Sequence, residues 1–199
     1  MAASRQWLLL YGHFKLHPKR KIDKYCSTTT RSYKRNKLLP HKIGIFIWRA
    51  KMGRLPVQLE LDKRGIDMDT VLCLVCNTEP ESVDHLMRSC TFAGDIWSRT
   101  FSWWKNDSHH YSDCTDMLNC IRSNSSVTSN LWQAIEWVVG YLLWENRNSK
   151  IFGKNYMSVP VLFNDIQVKS FQWISNRSKK LSLDWNHWLL NPGLDDDHG

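Results

Sequence analysis

Four residues of the right types for a metal ion fall between positions 73 and 90: Cys73-x2-Cys76-x8-His85-x4-Cys90. Two Cys three apart can both point inward from a tight turn and hold one ion. His85 and Cys90, on and just past a short helix, close a tetrahedron from the other side. Three thiolates and one imidazole suit zinc and leave no position for water, so the predicted zinc is structural rather than catalytic. Zinc bond lengths of about 2.0–2.3 Å require the four ligand atoms to converge within about 4 Å of one another. A lone Cys-x2-Cys reads equally well as two buried thiols. The complete set amid polar loop chemistry argues for a metal.

The remaining candidates for chemistry are sparse. Cys26, Cys114 and Cys120 lack a matching pair and read as buried or incidental thiols. His109 and His110 beside Cys114 and Cys120 make a weaker second metal candidate. No nucleophile–base set is visible, and no metal set with an open position. The uneven Cys spacing is not a secreted disulfide framework, which points to a reducing intracellular compartment, nucleus or cytoplasm.

Helical elements must position the ligands. A helix is predicted after Pro40, where Ile43, Phe46, Ile47 and Ala50 make one apolar face and Gly53 marks the end. A second fits Pro56 to Arg64, with Gly65 past its last turn. Residues 66–80 read as a loop carrying the first two Cys, and Ser82 starts a short helix carrying His85. Further helices are predicted over Phe92–Trp104, Asn130 to about Phe152, Val159 to about Arg177, and Leu183–Leu190, with a short one near Met117–Ile121. The segment Glu145-Asn146-Arg147-Asn148-Ser149-Lys150 reads as a polar tail of the long helix. Most of the eleven Trp sit at helical spacing and are core residues. The adjacent Trp103 and Trp104 are hardest to bury together, which leaves one for a partner surface.

Charge is divided unevenly. Residues 1–54 hold fourteen Lys/Arg against one acid, a net +13, and residues 55–199 hold thirteen against eighteen, a net −5. The basic arm contains Lys19, Arg20, Lys21, Arg31, Lys34, Arg35 and Lys37, with Tyr11, Phe14, Tyr25 and Tyr33 interleaved. Such an arm suits low-specificity binding of RNA or DNA by phosphate neutralisation and base stacking. The plainer reading is a solvated leader without a partner. The longest apolar stretch, Leu131 to Trp144, is about 14 residues, short of a membrane span, and the N-terminus lacks signal-peptide features.

The residues around the metal set carry a resemblance. Leu39-Pro40-His41-Lys42-Ile43, Phe46-Ile47-Trp48-Arg49, Arg54-Leu55-Pro56, Arg64-Gly65, the two Cys, Glu81-Ser82, His85-Leu86, Cys90, Ala93 and Ile96-Trp97 follow in an order that resembles the zinc-binding domain at the C-terminal end of plant LINE-type (non-LTR) retrotransposon reverse transcriptases. The likeness covers roughly residues 30–104. Trp144-Glu145-Asn146-Arg147-Asn148, Phe152-Gly153, Asp184-Trp185 and Trp188 resemble the tail that follows it. Two positions depart. The aromatic ahead of Pro40 is Tyr33 where the family often has Trp, and Val57 stands where Thr is common and cannot cap a helix through a hydroxyl. The family's polymerase motif, Tyr-x-Asp-Asp, is absent, so the resemblance implies a piece of a polymerase without its catalytic aspartates.

The expected fold is mainly α, a small helical domain around a structural Cys3His zinc site followed by a helical region. The expected division is a basic arm over 1–37, poorly ordered, a zinc-binding domain over 38–104, a helical region over 105–190 and an acidic tail over 191–199. The expected function is a nucleic-acid-associated zinc module holding retroelement RNA or target DNA. The alternative is a domesticated or decayed remnant that serves protein contacts or nothing.

Overall fold

A computed structural model describes residues 35–105, 127–178 and 181–193 of the chain. The chain divides into two units, Met1–Arg35 and Asn36–Gly199. The first lies outside the described residues except for Arg35. Cys26, His109, His110, Cys114, Cys120, the helix expected near Met117–Ile121 and the acidic tail also lie outside them.

The architecture is mainly helical, as the periodicity predicts. In chain order come α1 (His41–Lys51), α2 (Gln58–Asp62), a single π-turn (His85–Ser89), α3 (Thr91–Trp104), α4 (Val127–Ile151), α5 (Val159–Ser175) and α6 (Trp185–Leu190). Among the described residues there is no strand, only an isolated antiparallel bridge between Leu72 and Pro80.

The apolar face read on α1 is the buried one: Ile43, Phe46, Ile47 and Ala50 all face the interior. Arg49 and Lys51 in its last turn complement the negative end of the helix dipole. The chain reverses at Gly53, and after α2 at Gly65, both at positive φ that a side chain would strain.

The long helix α4 is the centre of the core. Leu131, Trp132, Ala134, Ile135, Trp137, Val138, Val139, Leu142, Leu143 and Trp144 are all buried, so it is apolar on nearly every side. It packs against α1, the π-turn, α3 and α5. At Gly140 a Cβ would meet Met87 Sδ at 3.6 Å and Phe46 Cε1 at 3.8 Å, so this is where α4 passes close to both neighbours.

Two expectations change. The second helix begins at Gln58, not Pro56, because Leu55 and the extended Val57 are both buried in the core before it starts. The Trp103–Trp104 pair is buried whole, at 6% exposure each. The roughly 100° between neighbours sends the two rings to different helices rather than one to solvent. Trp103 meets Phe163 of α5 and Trp188 of α6, at centroid distances of 5.9 and 5.6 Å, and its indole N–H donates to the Trp188 carbonyl at 2.8 Å. Trp104 meets Trp132 of α4 at 5.0 Å.

The polar tail of α4 is buried at two of its positions: Asn146 and Arg147 are each 1% exposed. The Asn146 amide donates to the Met157 carbonyl at 3.0 Å and accepts the Met157 N–H at 2.8 Å, which fixes the connection into α5. Arg147 forms an ion pair with Glu81, both side chains fully buried. The guanidinium engages the carboxylate in two places, Nε to Oε2 at 3.1 Å and Nη2 to Oε1.

Removing one partner of such a pair leaves the other charge buried and uncompensated, which typically costs about 3–5 kcal/mol. Arg147→Met is therefore expected to destabilise the chain by about that amount in urea unfolding. Adding Glu81→Gln should recover part of the loss, because it removes the uncompensated charge while the amide oxygen still accepts one of the two backbone hydrogen bonds. Equal stability of Arg147→Met and the parent chain would contradict the role given to this pair.

Candidate metal centre

The two halves of the ligand set come from different local structures. Cys73 and Cys76 lie on a tight knuckle closed by backbone bonds. The Cys73 N–H donates to the Glu79 carbonyl at 2.7 Å, Asn77 N–H to Cys73 at 2.8 Å, and Glu81 N–H to Val71 at 2.8 Å. Asn77 takes the left-handed conformation (φ 58°) that turns the chain just past Cys76. Asn is among the few side chains that tolerate it.

His85 and Cys90 come from the π-turn. Ser82 starts it as expected, its hydroxyl accepting the His85 N–H at 2.9 Å. The turn closes with the Cys90 N–H on the His85 carbonyl at 2.8 Å, five residues back. Trp97 of α3 steadies it, its indole N–H donating to the Met87 carbonyl at 2.7 Å.

These pieces bring the four predicted ligands together. One ligand atom from each of Cys73, Cys76, His85 and Cys90 lies within 4.8 Å of all the others, somewhat wider than the expected 4 Å. Within the set, Cys73 and Cys90 Sγ are 4.0 Å apart, and Cys76 Sγ is 3.2 Å from His85 Nε2. Cys73, His85 and Cys90 are buried and Cys76 is half-buried.

The imidazole is oriented for ligation. Its Nδ1 is 3.0 Å from Glu79 Oε2 and 3.1 Å from Ser89 Oγ, which leaves Nε2 aimed at the sulfurs. An outer carboxylate on the far ring nitrogen is the usual way of fixing a metal-binding histidine's tautomer and raising its basicity.

The electrostatics show four groups sharing protons. Its hydrogen bond with Cys90, and then burial, push the Cys73 thiol well up. The same bond brings Cys90 down, against burial, so the Cys73 proton serves both sulfurs. Burial works against the Cys76 thiolate, but hydrogen bonds from Thr78 and His85 outweigh it and lower that thiol. Burial likewise disfavours charged His85, and its contacts with Cys76 and Cys73 reverse the balance and raise it. A dication would replace protons at these same atoms. Three soft sulfurs and one imidazole nitrogen, converging with no further His, Cys, Asp or Glu ligand in the group among the described residues, fit zinc in a closed tetrahedral site.

Two residues that support the site carried no assigned role in the sequence reading. Glu81 figures only in the family resemblance and Arg147 there and in the polar tail of the long helix, since their separation of 66 positions leaves no local spacing signal. Glu81 Oε2 accepts the Leu74 N–H, inside the Cys-x2-Cys knuckle, at 3.3 Å. Its Oε1 accepts the Gln58 N–H at 3.0 Å, and its carbonyl accepts the Leu59 N–H at 3.2 Å. Glu81 thus receives the first two amides of α2, where Val57 has no hydroxyl to offer. Of the predicted nucleic-acid residues, Arg35 and Lys37 are exposed. Lys19, Arg20, Lys21, Arg31 and Lys34 lie outside the described residues.

Metal analysis of chain purified without chelator is expected to give close to one zinc per molecule. A folded, metal-free protein would refute the site. Glu79→Ala should weaken zinc binding by about tenfold in competition with a chromophoric chelator, the low end of the usual outer-shell effect because Glu79 is exposed.

No helix among the described residues is long and apolar enough to cross a membrane. No curated protein and no solved structure matches the chain. Residues 15–97 match the family described as zinc-binding in reverse transcriptase. The matched stretch contains all four ligands, and over it the chain is similar to the zinc-binding segment of reverse transcriptases.

Proposed function

We propose that this chain is a nucleic-acid-associated zinc module of a plant LINE-type retrotransposon polymerase, without polymerase chemistry of its own. The observation that carries this reading is the coincidence of the family match with the closed Cys3His cluster. Nothing in that cluster offers a position for a substrate or a water nucleophile, so its work is to hold the knuckle and the π-turn in place. The charge of residues 1–54 supplies the partner: a net +13 with interleaved aromatic rings suits a single strand of RNA or DNA, held with low specificity.

The module's task would then be to keep element RNA or target DNA near a polymerase located elsewhere. The residues engaged would include Lys19, Arg20, Lys21, Arg31, Lys34, Arg35 and Lys37.

Binding of this kind is mainly electrostatic. With about half of the fourteen basic residues engaged, the slope of log affinity against log salt should be near −5, at about −0.7 for each phosphate on a single strand. Deleting residues 1–34 removes eight of those charges and keeps Asn36, whose side chain donates to the Asn130 carbonyl at 3.0 Å. The shortened chain should keep its zinc and its helical content but lose most of its affinity. Absence of RNA and DNA binding by the full chain at low salt would overturn the reading.

A further inference from the structure

The end of α1 presents a second feature that the zinc site does not use. From Arg35 to Leu59 the sequence contains six Lys/Arg and no acid. Trp48 on α1 is half-buried. The Arg54 guanidinium lies over that ring, 5.7 Å from its centroid. Arg64, from beyond α2, reaches back and donates to the Gly53 carbonyl at 3.3 Å, so a second exposed guanidinium is fixed beside the same turn. Of the acids on α2, Glu60 is paired with Lys63 at 2.8 Å.

A partly exposed tryptophan with one guanidinium over its ring and a second beside the adjoining turn has the composition of a single-strand contact. The ring stacks a base, and the forked donors take the flanking phosphates. The charge sign excludes a basic partner, and an apolar partner would leave two arginines to desolvate without a counter-charge.

We propose that Trp48, Arg54 and Arg64 form the folded unit's own contact for single-stranded nucleic acid, distinct from the basic residues ahead of Asn36. One base stacks at Trp48, and Arg54 and Arg64 each neutralise a phosphate beside it. This rests on the nucleic-acid reading above and locates a surface for it.

The test uses the full zinc-loaded chain and a fluorescein-labelled single-stranded RNA of mixed sequence, with the same sequence as DNA in a parallel arm. Trp48→Leu should weaken binding roughly 5- to 160-fold, the range expected for loss of one base–aromatic stack, while Trp48→Phe stays close to the parent chain. Arg54→Gln with Arg64→Gln should reduce the magnitude of the salt slope by about 1.4, at about 0.7 per phosphate released. Both arginines are exposed, so zinc content and helical signal should not change in that variant, and it decides the matter even if Trp48→Leu fails to fold. An unchanged affinity and slope in the arginine variant, in a chain whose parent binds, overturns this surface and leaves the nucleic-acid reading standing. A parent chain that binds neither RNA nor DNA overturns both.

Discussion

A single buried carboxylate ties the described parts of this molecule together. Glu81 accepts from the start of α2, from an amide inside the Cys-x2-Cys knuckle and from both arms of the Arg147 guanidinium on α4. Taking two charges out of water is expensive, and the arrangement is tolerable only because both carboxylate oxygens are filled by donors at once. The fork of Arg matches that geometry where Lys would not. The metal knuckle and the long core helix therefore have a common fixed point 66 residues apart in sequence.

That fixed point explains how a short, polar loop can hold cation ligands in register. The stretch from 66 to 80 has little apolar surface of its own, and Cys73 is its one buried residue. Its shape comes from backbone bonds across the knuckle, from Glu81 beneath it and from Lys150, whose Nζ donates to the Val75 carbonyl at 3.3 Å. The second half of the ligand set is held differently. The π-turn rests on apolar contacts, with Leu86 and Met87 buried and Trp97 bonded to the Met87 carbonyl. A closed site joins the two, one half held by polar bonds and the other by packing.

Much of this was legible in the sequence. The ligand set could be read from residue type and spacing alone, and α1 from four apolar residues that all prove buried. The run from Leu131 to Leu143 announced a core helix. What could not be read had distant causes. The burial of Asn146 and Arg147 has no local signal, because their partners, Met157 and Glu81, are 11 and 66 positions away. The start of α2 was misplaced because its cap is not adjacent: Val57 has no polar side chain, and Glu81 supplies the acceptors from 23 residues on. Trp103 and Trp104 were misjudged because α3 alone offers one buried face, whereas it is sandwiched between α4 on one side and α5 with α6 on the other.

The π-turn has a consequence for how this segment can vary. Its wide ring places Ser89, four residues after His85, against the imidazole Nδ1, and Cys90, five residues after, among the sulfurs. An ordinary α-turn would be one residue shorter and would close on the position Ser89 now holds. The interval between His85 and Cys90 is thus a counted length rather than a spacer. A single-codon deletion there would rotate the last thiol out of the tetrahedron while leaving every ligand in the sequence, so a scan for the four residue types alone would count as intact a site that could no longer close.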